Sequence, residues 1–110
     1  MKVSTIIKDE SAILIFEVDQ ILGYEAEEFQ NTLLNCLEGG IKLVIVDLSK
    51  VKFISSWGIG MLIHGLTTTS NRGFEFRIAC LTENVLQVFK KVKIDTILDI
   101  YDTVDKAMSR

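Results

Sequence analysis

The 110-residue sequence predicts an α/β fold on a mixed β-sheet: an initial hairpin, then parallel βα units, with the order ββαβαβαβα. Three observations carry that prediction. Two β-branched or apolar runs near the start flank a short polar segment. Beyond them, segments with apolar residues at helical spacing alternate with short apolar runs. Around Ser55 and Ser56 the spacing changes abruptly from strand-like to helix-like.

The hairpin takes Val3 to Ile7 and Ala12 to Val18 as strands, with Lys8-Asp9-Glu10-Ser11 as the loop. Asp19 to Gly23 turns the chain. A helix follows from Tyr24 to Glu38, with Glu25, Glu27 and Glu28 at the positive end of its dipole. Phe29, Leu33, Cys36 and Leu37 recur on its inner side, and Gly39-Gly40 ends it. Ile41 to Val46 reads as a central strand covered on both faces. After Asp47-Leu48-Ser49 comes a short apolar step, Val51-Lys52-Phe53-Ile54, leading to Ser55 and Ser56.

The second helix runs from Ser56 or Trp57 to about Ser70, with Asn71-Arg72-Gly73 as its stop. Glu75 to Leu81 alternates as a strand with one face less buried: Phe76, Ile78 and Cys80 inside, Glu75, Arg77 and Ala79 outside. Thr82 caps a third helix with Val85, Leu86 and Phe89 inward, and Lys90-Lys91 suit its negative end. Thr96 to Ile100 forms a last short strand. Asp102 caps a final helix through Met108.

Composition narrows the function classes. The chain is 48% hydrophobic, which suits one compact domain over residues 1–110. A net charge of −3, with no basic stripe interleaved with aromatics, argues against nucleic acid or an anionic membrane as partner. The longest strictly apolar run, Ala12 to Phe16, is too short to span a bilayer, and the N-terminal residues lack a signal-peptide core. Cys36 and Cys80 show neither metal nor redox spacing, so they read as reduced packing residues of a cytoplasmic protein.

Catalytic chemistry finds little support. His64 is the only histidine, eight residues beyond Ser56; on one helix that is about 12 Å, too far for a nucleophile–base pair. No cluster has metal-ligand spacing, and Gly58-Ile59-Gly60 lacks the third glycine of a dinucleotide fingerprint, so no cofactor is expected. Asp19 and Asp47 both follow strands, where acids usually serve turns; an enzyme would need them to share one end of the sheet with Ser56. Gly58 and Gly60 either let the helix start close against its neighbours or keep its outer face low for a partner. Ser55 or Ser56 is the N-cap, at an end where a phosphate on a serine is well tolerated.

Val44-Ile45-Val46-Asp47-Leu48-Ser49, then Val51 and Phe53-Ile54-Ser55-Ser56-Trp57-Gly58-Ile59-Gly60, resembles the signature of the STAS domain. Glu17-Val18-Asp19, Asn71-Arg72-Gly73 and Asp102-Thr103-Val104 also fall where that family has comparable residues. Bacterial anti-sigma-factor antagonists and sulfate-transporter tails share this fold. The resemblance implies helices packed mainly on one face of the sheet, with the loop before the second helix as the interaction site.

In the antagonist branch, the unphosphorylated protein binds an ATP-dependent anti-sigma factor that is also a serine kinase. Phosphorylation of a serine at the helix start breaks the complex, and a phosphatase resets it. Aligned on Gly58, the phosphoacceptor is Ser56, and the usual aspartate and small residue are replaced by Ser55 and Trp57. Taken with the missing base near Ser56, the expectation is a monomeric binding module, not an enzyme, docking through Asp19, Asp47, Ser55, Ser56, Trp57, Gly58 and Ile59. Trp57 is either a buried packing residue or an aromatic anchor of the interface. The two departures support a second expectation: a constitutive, unphosphorylated interaction subunit of a signalling assembly or lipid-transport complex.

Overall fold

The structure, a computed structural model, describes residues 2–109; Met1 and Arg110, the ends of the expected 1–110 domain, lie outside the described residues. β1 (Val3–Lys8) and β2 (Ser11–Phe16) form the expected hairpin, in register from Val3↔Phe16 to Lys8↔Ser11. The turn is Asp9-Glu10 alone, and Asp9 takes a φ of +57°, a region aspartate tolerates better than most residues. β4 (Leu43–Asp47), β6 (Glu75–Ala79) and β7 (Asp99–Tyr101) add parallel strands, giving the sheet order β1-β2-β4-β6-β7.

A second sheet of two short parallel strands, β3 (Gln20–Ile21) and β5 (Phe53–Ile54), corrects the sequence reading. The first of these reads in the sequence as part of a turn and the second as an apolar step. Their pairing brings Gln20 to Phe53 and Ile21 to Ile54, and so fixes where the next helix starts.

Three helices pack on one face: α1 (Ala26–Glu38), α2 (Ser56–Asn71) and α3 (Glu83–Lys91). Leu14, Phe16, Phe29, Leu33, Val44, Val46, Leu62, Ile78 and Phe89 are sealed between them and the sheet. Phe29 sits at the centre, 5.4 Å from the Phe16 ring and edge-on to Phe76 at 6.4 Å. The fourth helix, α4 (Val104–Met108), covers the other face, where Ala107 meets Ile13, Ile45 and Ala79.

Several boundaries differ from expectation for local reasons. β2 stops at Phe16, not Val18, because the chain leaves the sheet to form β3. α1 begins at Ala26, not Tyr24: the buried Glu25 turns back to accept from the Leu22 and Gly23 N–H groups, at 3.2 and 3.0 Å. Arg77 and Ala79 are buried, not on an open face, because α4 lies over them. The Arg77 guanidinium donates to the Ala107 carbonyl at 2.5 Å and pairs with Glu75 at 2.9 Å. β6 ends at Ala79, where Cys80 adopts a φ of +64°.

Thr82 precedes α3, but its hydroxyl donates to the Val51 carbonyl at 2.6 Å and makes no cap bond. Ile94–Thr96 is a 3₁₀ turn, so the last strand begins only at Asp99. Thr103, not Asp102, caps α4, its hydroxyl accepting from the Lys106 N–H at 3.1 Å.

Candidate functional site

The β3–β5 pair delivers the chain to the mouth of α2. The Ser55 N–H donates to the Ile21 carbonyl at 2.9 Å, which carries the β3–β5 contact one residue further. Ser55 then takes extended backbone angles, and its hydroxyl accepts from the Gly58 N–H at 3.1 Å. Ser55 is therefore the N-cap and Ser56 the first helical residue. Ser56 is exposed, and its hydroxyl has no hydrogen-bond partner among the described residues.

Gly58 and Gly60 divide the two readings between them. A Cβ at Gly58 would lie 2.8 Å from side-chain carbons of Ile21 and Ile54 and 2.9 Å from the Ile21 carbonyl oxygen. Only glycine lets α2 start this close to β3 and β5. At Gly60 a Cβ would meet nothing within 4 Å, so its missing side chain leaves an open surface.

That surface is a largely apolar groove of about 560 Å³ between the first halves of α1 and α2. Ala26, Glu27 and Gln30 form one wall; Ser56, Trp57, Gly60, Met61 and His64 form the other. Gln30 bridges the two helices by donating to the Thr68 hydroxyl at 3.2 Å. Trp57 is 76% exposed, so it belongs to the rim of this groove and not to the core. Its indole leans on Gly23, whose missing side chain admits it: a Cβ there would be 2.9 Å from the Trp57 Cβ. Tyr24, 75% exposed, and Phe53, 50% exposed, add two aromatic side chains from the segments that meet here.

Of the remaining candidate residues, Asp19 and Ile59 lie at this mouth and Asp47 on the other face of the sheet. Asp19 is exposed, and its carbonyl accepts from the Lys52 and Phe53 N–H groups at 2.8 and 3.2 Å, tying the chain before β3 to β5. Ile59 is half-buried against the main core. Asp47 stands at the same end of the sheet as Asp19 but shares the α4 face with Ile45, by strand alternation. Its carboxylate accepts from the Ser49 N–H at 2.8 Å. It also lies beside Cys80, whose thiol is pushed up first by burial and then by that carboxylate.

His64 lies two turns along α2 from Ser56, as the eight-residue spacing implies. Among the described residues, no group of three or more His, Cys, Asp or Glu side chains is placed to hold a metal ion, and no helix is long and apolar enough to cross a membrane. Tyr24, Phe53 and the Gly23 seat are the part of the site that sequence reasoning missed. The available signal was that the two segments bordering the start of α2, Gly23-Tyr24 and Phe53-Ile54, each carry an aromatic residue.

The STAS domain family model matches residues 5–107. A Thermotoga maritima protein classed as an anti-sigma factor antagonist is 32% identical over 72 residues, covering 66% of this chain. A Thermotoga neapolitana homologue is 31% identical over 72 residues. In both cases the aligned stretch spans 64% of the relative's length. The crystal structure of a T. maritima protein of that class superposes with a TM-score of 0.85 at 27% identity, covering 97% of this chain and 92% of the other. The fold extends to the Bacillus cell fate determinant SpoIIAA in its phosphorylated form: TM-score 0.72, 12% identity, 98% and 97% coverage.

Proposed function

The chain belongs to the STAS domain family, and from that premise we propose that it is an anti-sigma-factor antagonist, a binding module switched by phosphorylation of Ser56. The observation that carries the reading is the Ser56 hydroxyl: exposed, unpaired among the described residues, and at the rim of an apolar groove. A kinase can reach it without unfolding anything. The partner is an anti-sigma factor with serine-kinase activity, and a phosphatase removes the phosphate.

The physics of the switch is local. A phosphate on Ser56 adds close to two negative charges in the first turn of α2. The fold tolerates them, because the free N–H groups and dipole of a helix start favour an anion. A partner seated on Trp57 and the groove would have to desolvate that dianion against an apolar surface, and binding is lost. Trp57 supplies the large, well-exposed anchor on which such interfaces concentrate their energy. Ser55, Gly58 and Ile59 set the shape of the mouth, Asp19 lies in the loop that frames it, and Asp47 ends β4 at the same end of the sheet.

Incubation with the kinase and ATP, followed by mass mapping, should place phosphate on Ser56. Ser56→Asp should weaken partner capture at least about tenfold, while Ser56→Ala preserves it. Phosphate on another residue, or none, removes the switch. The exposed Trp57 also favours a second reading, a constitutive interaction subunit. In that case Trp57→Ala loses the partner and Ser56→Asp leaves capture unchanged.

A further inference from the structure

β1 forms one edge of the main sheet, and its main chain is not uniformly available. The Glu17 N–H donates to the Lys2 carbonyl at 2.7 Å, and the hairpin register runs unbroken from there to Lys8↔Ser11. Bonded and non-bonded pairs alternate in an antiparallel ladder. Ser4, Ile6 and Lys8 therefore turn their N–H and C=O groups toward β2, while Val3, Thr5 and Ile7 turn theirs outward. The Val3 N–H is already taken by the Glu28 carboxylate at 3.1 Å. That leaves Thr5 and Ile7 with both groups facing the open edge.

The side chains along this edge are also unsheltered. Ile6 is 51% and Ile7 55% exposed, one on each face of the sheet. The opposite edge, β7, is three residues long and begins with the exposed Asp99, a short charged strand of the kind that discourages pairing. β1 is twice as long, and its one exposed charge inside the strand, Lys8, sits at the turn end, which leaves Thr5-Ile6-Ile7 uncharged.

We infer that β1 is a homodimerisation edge: two copies pair β1 with β1, antiparallel, about a two-fold axis at Ile6, in place of the monomer the sequence suggested. The register follows from what the strand carries. Outward-facing residues must oppose one another, so the axis passes through a residue. At Ile7 it would set Thr5 against the partner's Asp9 in the turn, and at Ser4 against the partner's Val3, whose N–H Glu28 holds, which leaves Thr5 and Ile6. Centring on Thr5 sets Lys2 against the partner's Lys8 and calls on the Val3 N–H that Glu28 already holds. Centring on Ile6 sets Thr5 against the partner's Ile7 on both sides of the axis. Every free main-chain group of Thr5 and Ile7 then finds a partner, two bonds per opposed pair.

The same register brings Lys8 beside the partner's Ser4, on the face where Ser4 binds the Glu17 carboxylate at 2.8 Å; Lys50 already pairs with that carboxylate, so the main-chain bonds and the Ile6 contact carry the pairing. Ile6 packs on the partner's Ile6. On the other face Ile7 covers the partner's Thr5 at the lip of a cavity of about 390 Å³ that includes Cys36 and Ile41. The arrangement closes on itself as a two-fold dimer. It shares no residue with the groove at α2, so each copy keeps its docking rim.

Sedimentation equilibrium of the full chain should give twice the 12.4 kDa protomer mass. Oxidised Ile6→Cys should form a covalent dimer, because opposed Cα atoms of a non-bonded pair lie about 4.5 Å apart, within disulfide reach. Ile6→Lys places two like charges on the axis and should weaken the dimer at least about tenfold, with an unchanged circular dichroism spectrum. Should that variant fold poorly, Thr5→Pro removes one outward N–H without touching the β2 ladder and reads out the same loss. A protomer mass up to the solubility limit, a dimer that survives Ile6→Lys, or an Ile6→Cys variant that does not cross-link overturns the inference.

Discussion

Gly58 and Gly60 sit two residues apart on α2 and meet opposite surroundings, so the same substitution should move stability in opposite directions. Alanine gains about 1 kcal/mol over glycine in helix propensity at either position. At Gly58 the new methyl would press on Ile21 and Ile54 and on the Ile21 carbonyl, 2.9 Å away and held by Ser55. Overpacking of that kind costs about 1–3 kcal/mol, so Gly58→Ala should lower the urea midpoint. Gly60→Ala meets open space and should raise it by up to about 1 kcal/mol, at the expense of a shallower groove. Shifts of the same sign would mean that α2 adjusts at its start more freely than these distances allow. Nothing in the sequence separates the two glycines, because what distinguishes them is Ile21, more than thirty positions away. Trp57 is ambiguous for the same reason: an apolar helix start reads alike whether it faces the core or the rim, and the Gly23 seat decides it.

At the level of elements, the start of α2 depends on one neutral cap. Ser55→Ala removes the acceptor for the Gly58 N–H and should cost about 1 kcal/mol in thermal unfolding. Ser55→Asp keeps an acceptor and sets a negative charge at the positive end of the helix, so it should match or exceed wild type by about 0.3–1 kcal/mol. The resemblance to the antagonist branch puts an aspartate at this position, and the structure shows why serine can stand there without loss of the helix. If both variants unfold alike, the Ser55 hydroxyl is not what holds the first turn. The long elements were legible because their apolar periods are local. β3 and β5 were not: two residues cannot display alternation, and each is a strand only through a partner distant in the chain. Thr82 does hold the N-cap position of α3, but its hydroxyl makes no cap bond and donates instead to the Val51 carbonyl, 31 residues away.

Across the whole molecule the sheet separates two cores of unequal size. The larger holds Leu14, Phe16, Phe29, Leu33, Leu62, Ile78 and Phe89 under α1, α2 and α3; the smaller holds Ile13, Ile45, Ala79 and Ala107 under α4. Periodicity revealed the helices and their order but not which face each one covers, so Arg77 read as an exposed position on a half-open strand. In the fold it is 6% exposed, grips the Ala107 carbonyl and lies 5.7 Å from the Tyr101 ring. Five residues with one buried alanine bury too little apolar surface to be as stable as β4 or β6. Native-state hydrogen exchange should therefore find the Ala107 amide, bonded to the Thr103 carbonyl at 3.1 Å, opening well below the global unfolding free energy. The β4 and β6 amides should exchange only through global unfolding. Arg77→Ala should widen that gap by about 1–3 kcal/mol, because it strips the Ala107 carbonyl of a charged donor. Equal protection of α4 and β4 would show that the two cores unfold together and that Arg77 acts on the sheet as a whole.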